Sequence, residues 1–180
     1  MALTYIGMGS NIDPSSNIIK ALTLLSEKMA IRGISTFYET LPLGRNKDPF
    51  YYNGVLKIET VYSPDYLKFN ILRNIESALR RRRGIDKFAP RTIDLDILVY
   101  GDLSIHNRSL DIPDPDIKAR PFLSAALSEL DCDLYFPEWG LTINEINRGF
   151  EDIKLKALTE FTEILREDFL YGHQEGGKTR

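Results

Sequence analysis

The chain has 180 residues, of which 43% are hydrophobic and 27% charged, and its formal net charge is -3 at pH 7. This length suits one domain with a sizeable hydrophobic core, and the slightly acidic balance gives no whole-chain reason to expect binding to nucleic acid. Because no stretch approaches the roughly 20 apolar residues of a membrane span and the N-terminus lacks a signal-peptide pattern, we expect a cytoplasmic protein without membrane association.

The first half of the chain is predicted to contain a strand, a helix and two further strands. Residues 3–8 form a short apolar run typical of a strand, and Asp13 followed by Pro14 predicts a helix start, with Asp13 as the cap and Pro14 as the first helical residue. Aromatic and β-branched residues over 34–40 and 51–61 predict two strands joined by a loop.

The next segments complete the order of the core elements. Ser63 and Pro64 predict the start of a second helix, whose apolar residues recur at every fourth position until the arginines at 80–83 and Gly84 end it. Residues 93–100 predict the next strand. The resulting order, βαββαβ, is that of the split ferredoxin-like unit, so we expect an α/β (α+β) fold with an antiparallel sheet.

The C-terminal part is predicted to add helices to this core. Residues 120–130 read as a helix, residues 142–145 carry the capping-box pattern of another helix start, and residues 153–165 are amphipathic. No internal repeat or linker in the sequence marks a second domain. We therefore expect one domain over residues 1–170 and a disordered tail over 171–180.

Two acidic residues, Asp94 and Asp96, stand one residue apart in an otherwise apolar strand segment. Because side chains alternate along a strand, both carboxylates point to one face, roughly 7 Å apart. Such a pair can hold divalent cations, and two Mg²⁺ ions about 3.5–4 Å apart can clamp phosphate oxygens. The sequence has too few histidines and cysteines to bind a metal without carboxylates. The ordinary alternative is a pair of acids on the solvated face of a strand.

A dense run of cations precedes this acid pair. It comprises the four arginines at 80–83, then Lys87 and Arg91. Cations beside a carboxylate pair indicate a polyanion held through metal, as in a nucleoside triphosphate site. The chain lacks the G-x-x-x-x-G-K-[ST] phosphate loop, so side chains and metal must hold the phosphates. Alternatively, arginines can lie in solvent at the C-terminus of a helix, where positive charge is favourable, and we expect this for some of the four.

Five motifs, in order along the chain, resemble those of one enzyme family. They are Gly9-Ser10-Asn11, residues 37–44, Tyr51 with Asn53, residues 89–98, and residues 112–122. Together they are similar to the signatures of the 6-hydroxymethyl-7,8-dihydropterin pyrophosphokinases of folate biosynthesis. The resemblance extends over roughly residues 3–130.

The resemblance implies transfer of pyrophosphate from ATP to the hydroxymethyl group of a dihydropterin, which leaves AMP. Asp94 and Asp96 would bind two Mg²⁺ ions between the substrates, and Arg81 and Arg91 would neutralise the phosphates, so these four residues have the catalytic roles. The nucleotide-binding residues that the resemblance implies are Glu76, Arg81, Arg91, Ile97, Leu110, Asp114 and Arg120. For Glu76, an exposed helix acid is the alternative.

The resemblance also implies a pterin site, in which the flat rings of Tyr51 and Phe122 enclose the bicyclic ring. Asn53 and the segment around Thr40 would read the hydrogen-bonding edge of the pterin. The pterin-binding residues that the resemblance implies are Thr40, Pro42, Leu43, Tyr51, Asn53 and Phe122. Packing in a hydrophobic core is the alternative for the two aromatic residues.

One residue of the nucleotide site departs from the family pattern. Asp114 stands where a histidine is common. An ionised carboxylate can only accept hydrogen bonds, so we expect Asp114 to face a hydroxyl, an arginine or metal-bound water rather than a phosphate.

Two other functions compete with this interpretation. A βαββαβ sheet with surface aromatics and a basic cluster is also how an RNA-recognition domain is built, although the acidic net charge and the pair Asp94 and Asp96 argue against it. A pyrophosphokinase with another acceptor is the second. We expect ATP and a small acceptor as partners, no nucleic acid, and a monomer as the simplest state.

Overall fold

The computed structural model describes residues 1–42, 48–82, 84, 86 and 89–172. Its strands are β1 (Ala2–Ser10), β2 (Ala30–Ile34), β3 (Tyr38–Thr40), β4 (Tyr51–Thr60), β5 (Asp94–Tyr100), β6 (Ile105–His106), β7 (Asp111–Ile112), β8 (Tyr135–Phe136), β9 (Leu141–Thr142) and β10 (Lys156–Ala157). The main antiparallel sheet has the order β10, β3, β4, β1, β5, and β2 pairs with the far end of β4. Because β1 and β4 lie at its centre, the predicted ferredoxin-like arrangement is confirmed.

Helices cover both faces of the main sheet. They are α1 (Pro14–Ser26), α2 (the continuous run Pro64–Tyr66, Leu67–Leu72 and Arg73–Ala78), α3 (Pro121–Leu130), α4 (Ile143–Arg148) and α5 (Thr159–Arg166, continued by Glu167–Tyr171). Ile6 of β1 lies in a hydrophobic core with side chains of α1 and α2, whereas Tyr5 lies in a second core with side chains of α3 and α4. The alternation along β1 therefore builds one core on each face of the sheet.

The strand β5 shows the alternation that the sequence predicts for the acid pair. Ile93, Leu95 and Ile97 are buried in the core that contains α1 and α2. Asp94 and Asp96 line a cleft on the opposite face. One strand therefore supplies both a wall of the core and the acidic floor of a cleft.

The helix α1 begins at the predicted residue but with a different cap. Pro14 is the first helical residue, and Asp13 before it has a left-handed φ of 43°. In α1, all of whose residues the structure describes, the Asp13 side chain accepts no hydrogen bond from a backbone N–H group. A capping side chain needs an extended backbone, and the left-handed backbone of Asp13 does not provide it. The Asn17 side chain instead fixes the residue before Asp13, because its amide donates a hydrogen bond to the Ile12 carbonyl at 2.7 Å.

The single strand predicted over residues 34–40 is wrong, since the structure has two strands, β2 and β3, with a break between them. At the break the Ser35 hydroxyl accepts a hydrogen bond from the Val55 N–H, and the Phe37 N–H donates to the Thr162 hydroxyl of α5, both at 2.9 Å. Thr162 lies 125 residues further along the chain. A local pattern therefore could not reveal the partner that interrupts the strand.

The start of α2 is confirmed. The Ser63 hydroxyl accepts a hydrogen bond from the Tyr66 N–H at 3.3 Å, and Pro64 follows as the first helical residue. The middle of the helix, Leu67–Leu72, is a π-helix. This run contains Lys68, whose ammonium nitrogen lies 3.9 Å from the Asp96 Oδ1 atom of β5.

The end of α2 comes earlier than predicted, and Gly84 does not terminate it. Arg80 has a left-handed φ of 61°, and the N–H groups of Arg80 and Arg81 donate to the carbonyl oxygens of Ser77 and Glu76, both at 2.9 Å. This pair of hydrogen bonds is a Schellman motif, in which glycine usually occupies the left-handed position. The motif places Arg81 immediately beyond the last turn of the helix.

The C-terminal elements agree with most of the sequence analysis. The helix α3 lies where a helix is predicted, and the capping box is confirmed because Thr142 and Glu145 each accept a hydrogen bond from the other's backbone N–H. The amphipathic segment 153–165 contains the strand β10, and the helix α5 begins at Thr159. Residues 173–180 of the predicted tail lie outside the described residues, and the extent of the domain stays a prediction.

Replacing Arg80 with glycine is expected to stabilise the fold by about 1 kcal/mol, because glycine adopts the left-handed conformation without the steric cost of a β-carbon. Urea unfolding of the wild type and Arg80→Gly will measure the shift of the midpoint at unchanged slope. Arg82→Gly is the control, since Arg82 is exposed and its φ is not left-handed. A lower midpoint for Arg80→Gly than for the wild type would contradict this reading of the helix end.

Candidate active site

A cleft of about 350 Å³ opens on the face of the sheet that packs against α3. Its walls come from segments that are far apart in the sequence. The predicted site residues in its lining are Thr40, Pro42, Tyr51, Asn53, Arg91, Asp94, Asp96, Asp114, Arg120 and Phe122. The motifs therefore converge on one surface, while Leu43, also predicted for the pterin site, lies outside the described residues.

A second cleft, of about 290 Å³, adjoins the first at Asp114, which lines both. The predicted nucleotide residues Ile97 and Leu110 lie here. Lys68 and Arg108 also line it, although the sequence analysis did not single them out. The two clefts can thus hold two small molecules side by side.

Two glycines of β1 form the floor of the first cleft beside the acid pair. In the antiparallel register Gly7 lies opposite Asp96, and Gly9 lies opposite Asp94. A β-carbon on Gly9 would lie 2.4 Å from the Asn53 Oδ1 atom, which is closer than such atoms can approach. The first residue of the Gly9-Ser10-Asn11 motif therefore makes room for a predicted pterin-binding side chain.

The carboxylate of Asp94 is held between two guanidinium groups. Arg81 contacts its Oδ1 atom and Arg91 its Oδ2 atom, and only 20% of the Asp94 side chain is exposed. Burial alone would raise the pKa of Asp94, but the charges of Arg81 and Arg91 outweigh it and hold the pKa below its usual value. Asp94 is therefore ionised at neutral pH, and the two predicted catalytic arginines meet at it.

Asp96 lies in a different electrostatic environment. Burial of its carboxyl group and the nearby charge of Asp94 raise its pKa to about 7. The Lys68 ammonium nitrogen is 3.9 Å from the Asp96 Oδ1 atom, and its charge works against this rise. The raised pKa indicates that a further cation beside Asp96 would be favourable.

Glu76 is 2% exposed, so the alternative of an exposed helix acid is wrong. Its carboxylate accepts a hydrogen bond from the Leu95 N–H at 3.0 Å and forms an ion pair with Arg81. Neither cleft, as the described residues outline it, has Glu76 in its lining. Glu76 holds Arg81 beside Asp94, and its direct contact with nucleotide stays a prediction.

The segment that carries Arg91 is fixed by Ser10 and Asn11. The Asn11 side-chain carbonyl accepts a hydrogen bond from the Arg91 N–H at 2.8 Å, and the Asn11 N–H donates to the Arg91 carbonyl at 3.2 Å. The Ser10 hydroxyl donates to the Thr92 carbonyl at 2.6 Å. The sequence analysis did not assign this positioning role, although the motif itself was its signal.

The predicted pterin residues line one side of the first cleft. Asn53 donates from its Nδ2 atom to the Thr40 hydroxyl at 2.7 Å. The Tyr51 ring centre lies 5.9 Å from the guanidinium carbon of Arg91. Tyr51 and Phe122 are partly buried and line the cleft, and Phe122 also packs against the second core, so their pterin contacts stay a prediction.

Asp114 has a hydrogen-bond partner other than those predicted for it. Its carboxylate accepts from the Asp116 N–H at 2.8 Å and so caps the 3-10 turn Pro115–Lys118. Arg120 pairs with the Asp116 carboxylate at 2.8 Å. Burial raises the pKa of Asp114. Asp114 and Arg120 thus belong to one ordered turn, with Asp114 at the boundary between the clefts.

The donor set of the site fits Mg²⁺ that is bound together with a phosphate. Among the described residues, no three His, Cys, Asp or Glu side chains are close enough to hold a metal alone. Asp94 and Asp96 offer carboxylate oxygens on one strand face, and both line the first cleft. Mg²⁺ is commonly held by one or two carboxylates plus phosphate oxygens of a substrate.

The chain is similar to proteins from distant organisms. It is 37% identical to the 2-amino-4-hydroxy-6-hydroxymethyldihydropteridine pyrophosphokinase of Haemophilus influenzae, over 88% of this chain and 99% of that protein. A protein of the same name from Aquifex aeolicus is 35% identical over 81% of this chain and 90% of its own length. The Folic acid synthesis protein fol1 of Pneumocystis carinii is 38% identical over 87% of this chain, which spans only 21% of that longer protein.

Solved structures share the fold. The crystal structure of Plasmodium falciparum HPPK-DHPS with pteroate matches with a TM-score of 0.67 at 13% identity, over 95% of this chain and 46% of that chain. At this identity the similarity supports the fold alone.

The model of one protein family, 7,8-dihydro-6-hydroxymethylpterin-pyrophosphokinase (HPPK), matches residues 5–132. This range contains all five motifs and every predicted site residue. The match covers more than half of the chain, and two relatives of similar length agree with it. The expected family is therefore confirmed: the chain belongs to the 7,8-dihydro-6-hydroxymethylpterin-pyrophosphokinases.

Proposed function

We propose that this chain transfers the pyrophosphoryl group of ATP to the hydroxymethyl group of 6-hydroxymethyl-7,8-dihydropterin, giving the pterin diphosphate and AMP in folate biosynthesis. The observation that carries the proposal is the acid pair Asp94 and Asp96, flanked by Arg81 and Arg91, where two clefts adjoin. Pyrophosphoryl transfer needs little more than two positioned substrates and charge that neutralises the phosphates between them. Relatives of similar length are named for this activity.

In this proposal Asp94 and Asp96 hold two Mg²⁺ ions between ATP and the acceptor. When bound, the metal neutralises phosphate oxygens and orients the two substrates. Both carboxylates line the first cleft, and both lie next to a cation that can compensate for their own charge. The pair thus offers carboxylate oxygens to a metal on the open face of β5.

Arg81 and Arg91 are assigned to the phosphates of ATP. Their side chains are 11% and 21% exposed, so little water screens their charge. The planar guanidinium groups of both residues suit phosphate oxygens. The hydroxymethyl oxygen forms a bond to the β-phosphorus of ATP, and its proton is released to solvent. The bond between the β-phosphorus and the α,β-bridging oxygen breaks, and AMP leaves with that oxygen while both arginines face the charge that develops.

The two substrates are assigned to different clefts. The acceptor lies in the first cleft, where Tyr51 and Phe122 offer flat faces and Asn53 offers an amide. The nucleotide lies in the second cleft, whose mostly polar lining includes the apolar side chains of Ile97 and Leu110. This arrangement places the phosphates at the boundary between the clefts, close to the acid pair.

An RNA-binding module is not favoured, because the family match over residues 5–132 contains all five motifs, and the acid pair would repel a phosphodiester chain without metal. Small molecules are therefore the proposed partners. Within the described ranges, the structure contains no helix with the length and apolar content to cross a membrane. The cytoplasmic location and the monomeric state stay predictions.

Incubation of the protein with ATP, Mg²⁺ and 6-hydroxymethyl-7,8-dihydropterin is expected to yield AMP and pterin diphosphate in equal amounts. Chromatography of the nucleotides will distinguish AMP from ADP. Omission of the pterin is the control, and it should abolish AMP formation. Release of ADP would show transfer of a single phosphate, and AMP formation with a different alcohol alone would show another acceptor.

Asp96→Asn is expected to lower the rate of AMP formation by about 100-fold or more, because it removes the charge of a metal ligand. The melting temperature should change little, since Asp96 makes a loose ion pair with Lys68 at 3.9 Å. Asp133→Asn is the matched control, because Asp133 is exposed and lies in neither described cleft lining. A rate for Asp96→Asn within a few-fold of the wild type would rule out the metal assignment.

Arg81→Lys and Arg91→Lys are expected to lower kcat by about tenfold or more and to change pterin affinity less, because a lysine keeps the charge but loses the planar fork that meets two oxygens. Steady-state kinetics and pterin titrations will separate the two effects. Arg82→Lys is the control, since Arg82 is exposed. Equal effects at all three positions would indicate a diffuse cationic patch instead of assigned contacts.

A further inference from the structure

Lys68 stands at the point where the two clefts meet. Its ammonium nitrogen lies 3.9 Å from the Asp96 Oδ1 atom, and 22% of its side chain is exposed. Lys68 lines the second cleft, whereas Asp96 lines the first. A phosphate chain that reaches from the second cleft to the acid pair therefore passes the ammonium group of Lys68.

The helix backbone around Lys68 is of a rare kind. Lys68 belongs to the π-helical run Leu67–Leu72, in which Leu67, Ile71 and Leu72 are buried in the core. Such wide turns are uncommon and occur frequently at functional sites. Here the turn combines three core side chains with one lysine that reaches the acidic strand.

The contact between Lys68 and Asp96 is loose. At 3.9 Å it is longer than a hydrogen bond, and a partly exposed ion pair of this kind contributes little to stability. The two arginines of the site, by contrast, form hydrogen bonds to Asp94. Lys68 can therefore exchange its partner more easily than either arginine can.

We propose that Lys68 binds the phosphate chain of ATP at this junction, an inference that rests on the proposed function. If Asp96 holds a metal ion, the partly exposed ammonium group of Lys68 gives up its loose contact and is available to another anion. A phosphate oxygen of the nucleotide supplies that anion. The compact ammonium group suits the task because it carries three donors that rotate freely. Lys68 is then a third cation of the phosphate site, approaching from α2.

Calorimetric titration of Lys68→Met with ATP at saturating Mg²⁺, without acceptor, is expected to show about tenfold weaker binding than the wild type. Adenosine, which lacks phosphate, should bind both proteins equally. Lys68→Arg keeps the charge and should retain most of the affinity for ATP. Lys20→Met is the matched control, because Lys20 is an exposed lysine of α1 that lies in neither described cleft lining.

Unchanged ATP affinity in Lys68→Met would overturn the inference, and an equal loss for ATP and adenosine would do so by revealing a distorted cleft. The inference would also be overturned if Lys68→Met bound ATP as tightly as the wild type but needed less Mg²⁺ to do so. Lys68 would then affect only the charge of Asp96 and would not bind phosphate. If Lys68→Met does not fold, Lys68→Gln allows the same comparison. Failure of the wild type to bind ATP would overturn the proposed function as well, whereas the other results leave that function standing.

Discussion

The carboxylate of Asp94, held between the guanidinium groups of Arg81 and Arg91, is the contact on which the geometry of the site depends. It joins the end of α2, the segment before β5, and β5 itself. Glu76 extends the network, because it pairs with Arg81 and accepts the N–H of Leu95. Removal of one partner from such a network leaves a charge without compensation, which typically costs about 3–5 kcal/mol where water is scarce. The charges that phosphate chemistry requires therefore also hold three segments of the fold together.

The order of the core strands and most residues of the cleft lining could be predicted from the sequence. The strands follow from the alternation of apolar and polar residues, and the cleft residues follow from short motifs. Three features could not be predicted locally. The break before β3 depends on Thr162, and the burial of Glu76 depends on the strand against which its helix packs. The left-handed turn at Arg80 occurs at a residue type that rarely adopts it. The first two are decided by tertiary contacts, and the third by the local hydrogen bonds that end the helix.

The family match ends at residue 132, and the part of the chain beyond it packs behind the side of the first cleft that Tyr51 and Asn53 line. The strand β10 extends the sheet beside β3, and the Phe161 ring of α5 lies 5.6 Å from the ring of Tyr52 and 5.7 Å from that of Phe37. Tyr52 alternates along β4 with Tyr51 and Asn53, which line the cleft. The C-terminal segment thus packs against the reverse side of the strand that carries predicted pterin residues.

The alternation along β5 also limits how this site can change during evolution. A strand that is shifted by one residue exchanges its two faces, so a single insertion ahead of Asp94 would turn both acids into the core and apolar side chains into the cleft. The pairing of β1 with β5 is irregular only after the acids, where Ile97 and Val99 face consecutive residues of β1 and Leu98 is the extra residue. Point substitutions can therefore change this site one side chain at a time. Insertions or deletions in β5 are compatible with the site only when they fall after Asp96.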